Sequence, residues 1–277
     1  MEGTERRPVL SVGGRQISLR RDLLAVEEPL EVRVVTTQEG RRRTFPLAVV
    51  MRTPGHDFEL AVGLLYCEGV VGGPGDIVSI ANGDDSEPHP DNVVEVHLAE
   101  GVPFDPVALS RHVYTTSACG VCGRASLDHL RALCPRGPSG HMALAPSLLQ
   151  GLPARLRQAQ GLFATTGGVH AAALFDERGH LLMLREDVGR HNAMDKLVGA
   201  LLLSGRLPAS DTIVLVSGRA SFELAQKAAM AGIPVLAALG APSSLAVRVA
   251  EAYGMTLVGF LGPERFNVYA GAQRLSP

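Results

Sequence analysis

The stretch that decides the fold runs from Thr212 to Leu261 and reads TIVLVSGRASFELAQKAAMAGIPVLAALGAPSSLAVRVAEAYGMTLVGFL. Short apolar runs alternate in it with alanine-rich segments whose apolar residues recur at helical spacing. This pattern predicts strands over 212–216, 234–239 and 255–261, with helices over 221–231 and 243–253. Crossover connections of this kind almost always join parallel strands. The C-terminal half is therefore predicted to be an α/β domain with a parallel sheet.

The carboxyl ends of these strands are where a ligand is expected, because open α/β sheets bind ligands in the crevice outside those ends. The segments that follow the strands are Ser217-Gly218-Arg219-Ala220-Ser221, Gly240-Ala241-Pro242-Ser243-Ser244 and Phe260-Leu261-Gly262-Pro263-Glu264-Arg265. Glycines permit close approach of the backbone, serines can cap the following helices, and free amides at helix N-termini attract phosphate. Arg219 and Arg265 can add charge-assisted hydrogen bonds, and Phe260 offers a face on which a purine or pterin could stack.

Any one of these segments is explained as well by an ordinary turn between a strand and a helix. Their occurrence after three parallel strands, together with two arginines, favours a site for a nucleotide-like anion. The sequence contains neither a P-loop pattern nor Gly-x-Gly-x-x-Gly, so no motif specifies the ligand further.

The segment before this stretch also concentrates polar residues. Residues 171–175 and 180–184 predict a hairpin, and residues 192–203 predict a helix. Asp187, His191 and Asp195 are spaced by four residues, which would allow a metal site. Gly189 interrupts the helical register, so a capped helix with a histidine–aspartate hydrogen bond is the favoured interpretation. His170 follows a glycine-rich turn and is either a ligand contact or a core histidine.

The N-terminal half has a different organisation. Residues 30–52 predict a hairpin, residues 56–68 a helix that stops at Gly69, and residues 93–98 another strand. We therefore predict a small α+β domain over residues 1–112 and an α/β domain over residues 113–277.

The clearest chemical motif is a pair of cysteines in Ser117-Ala118-Cys119-Gly120-Val121-Cys122-Gly123. Leu127, Leu130 and Cys134 follow at helical spacing, so the two thiols are predicted to lie just before a helix N-terminus. A free cysteine titrates near pH ~8.5, and the helix dipole with a cation such as Arg124 can bring the pKa to about 7 or lower. The thiolate is the form that attacks sulfur, so this segment predicts sulfur chemistry.

Other interpretations of the two cysteines remain open. Cys119, Cys122 and Cys134 could bind zinc together with His129 or His141, although no second Cys-x-x-Cys is present. A structural disulfide would need an oxidising compartment. A thioredoxin-type redox pair would belong early in a βαβ unit, whereas more than 110 residues come first here. Cys67 and Cys134 lie on apolar helical faces and are predicted to be buried.

The composition narrows the class of protein. The chain has 277 residues with 46% apolar and 19% charged side chains, enough for a substantial core. A net charge of −2 disfavours a general nucleic-acid or membrane-surface binder, because both depend on clustered positive charge. No signal peptide or transmembrane run is evident, which predicts a cytoplasmic protein.

Several segments together resemble the FdhD family of formate dehydrogenase accessory sulfurtransferases. They are Pro54-Gly55-His56-Asp57 with the helix ending in Glu68-Gly69, Thr115 to Gly123, Thr166-Gly167-Gly168-Val169-His170-Ala171-Ala172, Glu186-Asp187-Val188-Gly189-Arg190-His191-Asn192-Ala193 and Ser217-Gly218-Arg219. The resemblance runs from about residue 30 to the C-terminus. It implies a homodimer whose C-terminal domain is a three-layer αβα structure similar to the cytidine deaminase fold. A deaminase itself is disfavoured, because its chemistry needs His-x-Glu and His170 is followed by two alanines.

The resemblance also implies an activity. The protein would receive persulfide sulfur from a cysteine desulfurase and transfer it to the molybdenum cofactor, as Mo-bis(molybdopterin guanine dinucleotide), before insertion into formate dehydrogenase. Cys119 matches the family's persulfide cysteine and Cys122 its partner. The cofactor-binding segment falls on Phe260, Leu261, Gly262, Pro263, Glu264 and Arg265, with Gly218 and Arg219 nearby. A guanine nucleotide is expected to mimic the cofactor, and no metal of the protein's own is expected.

Two classes of function therefore stay open at this stage. One is a sulfurtransferase that carries sulfur covalently. The other is a cofactor-binding chaperone whose Cys-x-x-Cys serves docking or redox sensing. A zinc-dependent hydrolase is a more distant third.

Overall fold

A computed structural model describes residues 3–14, 16–38, 40–106, 123–134, 137–140 and 142–276. Within these residues the strands are β1 (Thr4–Gly13), β2 (Gln16–Ala25), β3 (Glu28–Gln38), β4 (Arg41–Arg52), β5 (Ile77–Asn82), β6 (Val93–Leu98), β7 (His170–Asp176), β8 (Leu181–Asp187), β9 (Thr212–Val216), β10 (Val235–Ala238), β11 (Thr256–Gly259) and β12 (Asn267–Ala270). The helices are α1 (Asp57–Cys67), α2 (Gly123–Leu133), α3 (Pro146–Ala159), α4 (Gly161–Thr166), α5 (Arg190–Leu203), α6 (Phe222–Met230) and α7 (Ser244–Ala252). Cys119, Cys122, Arg124, His129, His141 and the predicted boundary at 112 lie outside the residues or side chains described.

The N-terminal half forms a four-stranded sheet in the order β4-β3-β6-β5. β3 pairs antiparallel with β4 and parallel with β6, and α1 covers one face with Leu60 and Leu65 against Val32 and Val94. The predicted hairpin, helix and strand are thus confirmed. β5 was not predicted, because Ile77 and Ile80 are three residues apart and give no alternation of period two.

The C-terminal half forms a six-stranded sheet in the order β12-β11-β10-β9-β7-β8. β9, β10 and β11 are parallel, which confirms the predicted βαβαβ unit, and β7 and β8 form the predicted hairpin. Successive side chains of a strand point to opposite faces. Accordingly, Val214 packs with α5, α6 and α7, whereas Leu215 packs with Leu149 and Leu152 of α3. The expected three-layer αβα arrangement is confirmed.

A third sheet was not predicted. β1 and β2 pair antiparallel over their whole length and form a separate hairpin. Leu10, Val12, Ile17 and Leu19 occupy adjacent cross-strand pairs and are between 69% and 75% exposed. Arginines interrupt both strands, so the sequence does not carry the alternation of a half-buried strand.

Two glycines join the two halves of the protein. α1 and α5 cross at Gly63 and Gly199, where the backbones touch and a Cβ on either glycine would overlap the other helix. Arg185 at the end of β8 donates to Glu59 of α1 at 2.7 Å beside this crossing. Across the described ranges, no helix is both long and apolar enough to span a membrane.

Candidate functional site

One edge of the six-stranded sheet collects most of the segments that the sequence singled out. β9, β10 and β11 are parallel, so their carboxyl ends meet there. β7 runs antiparallel to β9, and β8 antiparallel to β7, so the start of β7 and the end of β8 lie at the same edge. His170, Asp187, Gly218, Gly240 and Phe260 are thereby brought together along one rim.

Backbone hydrogen bonds continue beyond the strands and fix the turns of this rim relative to one another. The amide of Gly240 donates to the carbonyl of Gly218 at 3.0 Å, and the amide of Phe260 donates to the carbonyl of Gly240 at 3.0 Å. A Cβ at Gly240 would lie 3.1 Å from both Gly218 O and Arg219 Cγ. Because Gly240 has no side chain, Arg219 can lie directly against the turn at Gly240, which is the close approach expected of a glycine here.

Phe260 has an unusual backbone conformation. Its φ is 52°, in the left-handed region that costs a non-glycine residue about 1 kcal/mol or more. The amides of Phe260 and Leu261, which donate at 3.0 Å to Gly240 O and Ala238 O, hold it there. The ring is 50% exposed, so an aromatic face is available at the rim.

The turn after Phe260 is anchored at three points. Leu261 is buried in the core beneath α3, and the amide of Gly262 donates to Arg265 O at 3.0 Å. Glu264 accepts a hydrogen bond from Gln150 of α3 at 3.1 Å through its backbone carbonyl, not through its carboxylate. The side chains of Pro263, Glu264 and Arg265 are exposed.

The two serines expected to cap helices differ. Ser243 Oγ accepts from the amide of Ala246 at 3.2 Å and caps α7 as predicted. Ser221 precedes α6 but makes no side-chain cap, so that prediction is wrong. Its hydroxyl lies 3.2 Å from His191 Nε2 and also bonds to the Glu223 carboxylate. A group from α5 thus competes with the helix N-terminus for this serine.

Two histidines at the rim are held in the neutral form. Burial lowers the pKa of His170, and the positive charge of Arg190 lowers it further. Burial and Arg190 also lower the pKa of His191 to about 4, against an opposing effect of Glu223. Both imidazoles are therefore uncharged near pH 7 and can donate or accept hydrogen bonds without adding positive charge.

Asp187 anchors the N-terminal half to this rim. Its carboxylate accepts from the amides of Thr53 at 3.1 Å and Gly189 at 2.8 Å, and it pairs with Lys196 at 2.7 Å. Lys196 also donates to Thr53 O at 2.8 Å. The loop before α1 is thus fixed to the start of α5 by fully buried polar groups.

The metal-ligand spacing of Asp187, His191 and Asp195 is not used for a metal in the described part of the chain. Asp187 is occupied as above, and Asp195 pairs with Lys227 at 2.5 Å. The expected histidine–aspartate hydrogen bond is wrong, because His191 faces Ser221 and Glu223. No group of three or more metal-ligating side chains occurs among the described residues.

The helix predicted after the cysteine pair is confirmed as α2, whose described residues are Gly123–Leu133. Cys67 and Cys134 are buried, as predicted. Burial raises the pKa of the Cys67 thiol well above its ordinary value, and burial also raises that of Cys134. Neither thiol has the exposed, low-pKa character of a reactive cysteine.

Sequence reasoning did not single out Arg190, Glu223 or Thr53. Arg190 lies within the segment Glu186 to Ala193, and that cluster of polar residues between a strand and a helix was the available signal. Thr53 precedes Pro54-Gly55, which marked a turn but not a contact with Asp187, 134 residues away. Such pairings depend on the tertiary fold.

Together these features define a class: an α/β protein with a glycine- and arginine-lined rim at the carboxyl ends of a parallel sheet and a Cys-x-x-Cys segment ahead of one helix. The chain belongs to the FdhD/NarQ family, whose model matches residues 25–276.

Similar proteins extend over nearly the whole chain. A protein of Streptomyces avermitilis named Sulfur carrier protein FdhD is 54% identical over 280 residues, covering 99% of this chain and 96% of its own length. One of the same name from Mycobacterium tuberculosis is 48% identical and covers 99% of each chain. The fold is shared with a crystal structure of a protein from Desulfotalea psychrophila assigned as a formate dehydrogenase accessory protein. It has a TM-score of 0.73, 22% identity and 99% coverage of both chains.

Proposed function

We propose that this protein is a sulfur carrier for formate dehydrogenase, acting as a sulfurtransferase through a persulfide on Cys119. The observation that carries the proposal is the 54% identity, over nearly the full length, to a protein named as a sulfur carrier. The Cys-x-x-Cys that precedes α2 in the sequence supports it, because a thiol at the N-terminus of a helix, as the sequence predicts here, favours the thiolate form.

In the first step, the Cys119 thiolate attacks the outer sulfur of a cysteine desulfurase persulfide. A new sulfur–sulfur bond forms on Cys119, the donor's sulfur–sulfur bond breaks, and the donor cysteine leaves as a thiolate. No external oxidant or reductant is consumed, because sulfane sulfur passes unchanged from one thiolate to another. The glycines beside Cys119 and Cys122 suit a loop that must reach both a donor and an acceptor.

In the second step, sulfur passes to the molybdenum cofactor as substrate. We propose that Cys122 attacks the inner sulfur of Cys119, which forms the Cys119–Cys122 disulfide and releases the outer sulfur as hydrosulfide. A cellular thiol must then reduce the disulfide for the next cycle. The alternative is that both cysteines carry sulfur in turn.

We propose that the cofactor binds at the rim, between Phe260 to Arg265 and the turn at Gly218 and Arg219. The exposed Phe260 ring suits stacking with guanine or pterin, and the exposed Arg219 and Arg265 suit phosphate. Glu264 lies in the same turn, and its exposed carboxylate would oppose a phosphate placed next to it. The arginines therefore have to outweigh it.

The test is intact mass spectrometry after incubation with a cysteine desulfurase and cysteine. The wild type should gain the mass of one sulfur atom, lose it on treatment with reductant, and carry it on the Cys119 peptide. Cys119→Ser should gain nothing, whereas Cys122→Ser should accumulate the persulfide because the resolving thiol is missing. The buried Cys67 is an internal control and should remain unmodified.

A sulfur gain in Cys119→Ser equal to that of the wild type would contradict the assignment of Cys119. No gain in the wild type, with an active desulfurase, would favour a chaperone whose Cys-x-x-Cys serves docking or redox sensing.

A further inference from the structure

Arg190 is a cation at the rim to which the described residues supply no ion pair. It is the first residue of α5 and is only partly exposed. Its buried Nε has no hydrogen-bond partner, and its guanidinium makes no ion pair with the carboxylates of the described ranges. A buried donor without a hydrogen-bond partner costs stability, and the cost is larger when the donor group is charged.

Arg52 Nη1 and Arg274 Nε are likewise buried without a hydrogen-bond partner in the described residues. Arg274 nonetheless donates from Nη1 to Gly254 O at 2.6 Å, and the fully buried cations have carboxylate partners. Arg52 pairs with Asp57 at 2.9 Å, Lys196 with Asp187 at 2.7 Å and Lys227 with Asp195 at 2.5 Å. The fold thus supplies a carboxylate wherever it buries these charges, as the cost of desolvation requires. Arg190 lacks this compensation.

Among the described residues, no ion pair joins Arg190 to Glu223, although the two charges interact. Glu223 lies close enough for Arg190 to lower its pKa, but its carboxylate accepts hydrogen bonds from Ser221 and from its own amide. His170 and His191, which flank Arg190, are neutral and so supply no negative charge. Ser217 Oγ accepts from the amide of Ala171 at 2.9 Å and keeps its own hydrogen for another acceptor. The surroundings therefore offer donors and a positive charge that forms no ion pair with a described carboxylate.

The position is separate from the turn at Phe260. β7, which begins at His170, is three places from β11 in the sheet, and strands are spaced by about 4.8 Å, so the two positions are about 14 Å apart. This is farther than one diphosphate reaches. A ligand with two diphosphate groups could occupy both.

We propose that Arg190 is the central residue of a second anion site on the rim, which binds a phosphate or diphosphate group with donors from His170 and Ser217. Arginine matches phosphate oxygens with two parallel N–H donors. That the group belongs to the second dinucleotide of the cofactor rests on the proposed function. A free diphosphate metabolite is the other source of the same chemistry.

The test follows the histidine rings by NMR while inorganic diphosphate is added to the full-length protein. Saturable binding is expected, with a rise in the pKa of His170 and His191, because a bound anion stabilises the imidazolium. Arg190→Gln should weaken binding at least about tenfold, the loss of one charge-assisted pair. The diphosphate affinity of Arg190→Lys should lie between those of the wild type and Arg190→Gln, since lysine keeps the charge but lacks the planar guanidinium.

Arg248→Gln is the matched control, because Arg248 is an exposed arginine on α7, and it should bind like the wild type. Unchanged melting temperatures would exclude misfolding of the variants. Equal affinity of Arg190→Gln and the wild type, or no saturable binding to the wild type, would overturn the proposal.

Guanosine diphosphate separates the two sources. If Arg265→Gln and Arg190→Gln each remove one of two binding events, the sites serve a dinucleotide ligand. If Arg190→Gln affects only inorganic diphosphate, the Arg190 site stands and its ligand is a free metabolite. Persulfide formation on Cys119 is measured independently, so failure of the proposed function would leave this result unaffected.

Discussion

Replacing Gly199 by alanine is expected to weaken the fold by forcing α1 and α5 apart. A Cβ at this position would overlap the carbonyl oxygen of Glu59 and lie 2.7 Å from its carbonyl carbon and 2.9 Å from Gly63 N. These are backbone atoms of another helix, so no side chain can rotate away. The helices would have to separate by roughly 1.5 Å, a gap that forfeits much of the dispersion energy across the contact.

The magnitude follows from two opposing effects. Overpacking costs about 1–3 kcal/mol and sometimes more, and a backbone clash belongs at the upper end. Alanine returns about 1 kcal/mol through its higher helix propensity. We expect the free energy of unfolding to fall by about 2 kcal/mol or more.

Gly151 provides the matched control. It lies inside α3, and a Cβ there would meet nothing within 4 Å. Gly151→Ala should therefore raise the free energy of unfolding by about 0.5–1 kcal/mol. The same substitution is thus expected to lower stability at Gly199 and to raise it at Gly151.

The assay is urea unfolding followed by far-UV circular dichroism, since the chain contains no tryptophan for fluorescence. Gly63→Ala should behave like Gly199→Ala. The double variant should lose less than the sum of the single variants, because one separation of the helices relieves both clashes. A Gly199→Ala protein as stable as the wild type would refute the reasoning.

Three further predictions concern the buried charges and the rim. Lys227→Met should cost about 3–5 kcal/mol in urea unfolding, because it leaves Asp195 buried without its partner, and Asp195→Leu in the same chain should restore much of the loss. Phe260→Gly should weaken binding of guanosine diphosphate, and its loss of stability should be smaller than that of Phe260→Ala, because glycine accepts a φ of 52° without strain; unchanged binding would exclude the ring as a stacking surface. The folded pKa of His191, about 4, lies below its ordinary 6.5, so the unfolded chain binds more protons and stability is lost as the pH falls from 6.5 to 4. His191→Gln should flatten that part of the profile of unfolding free energy against pH, and an unaltered profile would contradict the assignment.

The predictable elements are those whose buried residues recur at regular positions along the chain. β9, β10 and β11 are buried on both faces and read as continuous apolar runs, so their positions in the chain and their parallel orientation followed from the sequence. The hairpin β1–β2 and the short strands β5 and β12 have mostly exposed or half-buried side chains, so no apolar periodicity marked them. A buried strand requires apolar residues at regular positions, which can be recognised in the sequence, whereas an exposed strand does not.

Two serines illustrate why the site was harder to predict than the fold. Ser221 and Ser243 both follow a parallel strand and precede a helix, and local rules assign both the same capping role. Only Ser243 caps its helix, because His191 and Glu223 engage the hydroxyl of Ser221. The difference comes from α5, thirty residues earlier in the chain.

The sequence by itself determined the βαβαβ core, the helix after the cysteine pair, and the clustering of glycines and arginines where strands end. These features depend on neighbours within a few residues, through periodicity, capping and turn chemistry. Tertiary structure alone decided that Lys196 and Lys227 have carboxylate partners while Arg190 has none among the described residues, and that Thr53 meets Asp187 across 134 residues. Charge compensation is set by whichever side chains the packed helices bring within a few ångströms, because the energy of a buried charge depends on distance in space and not on separation along the chain.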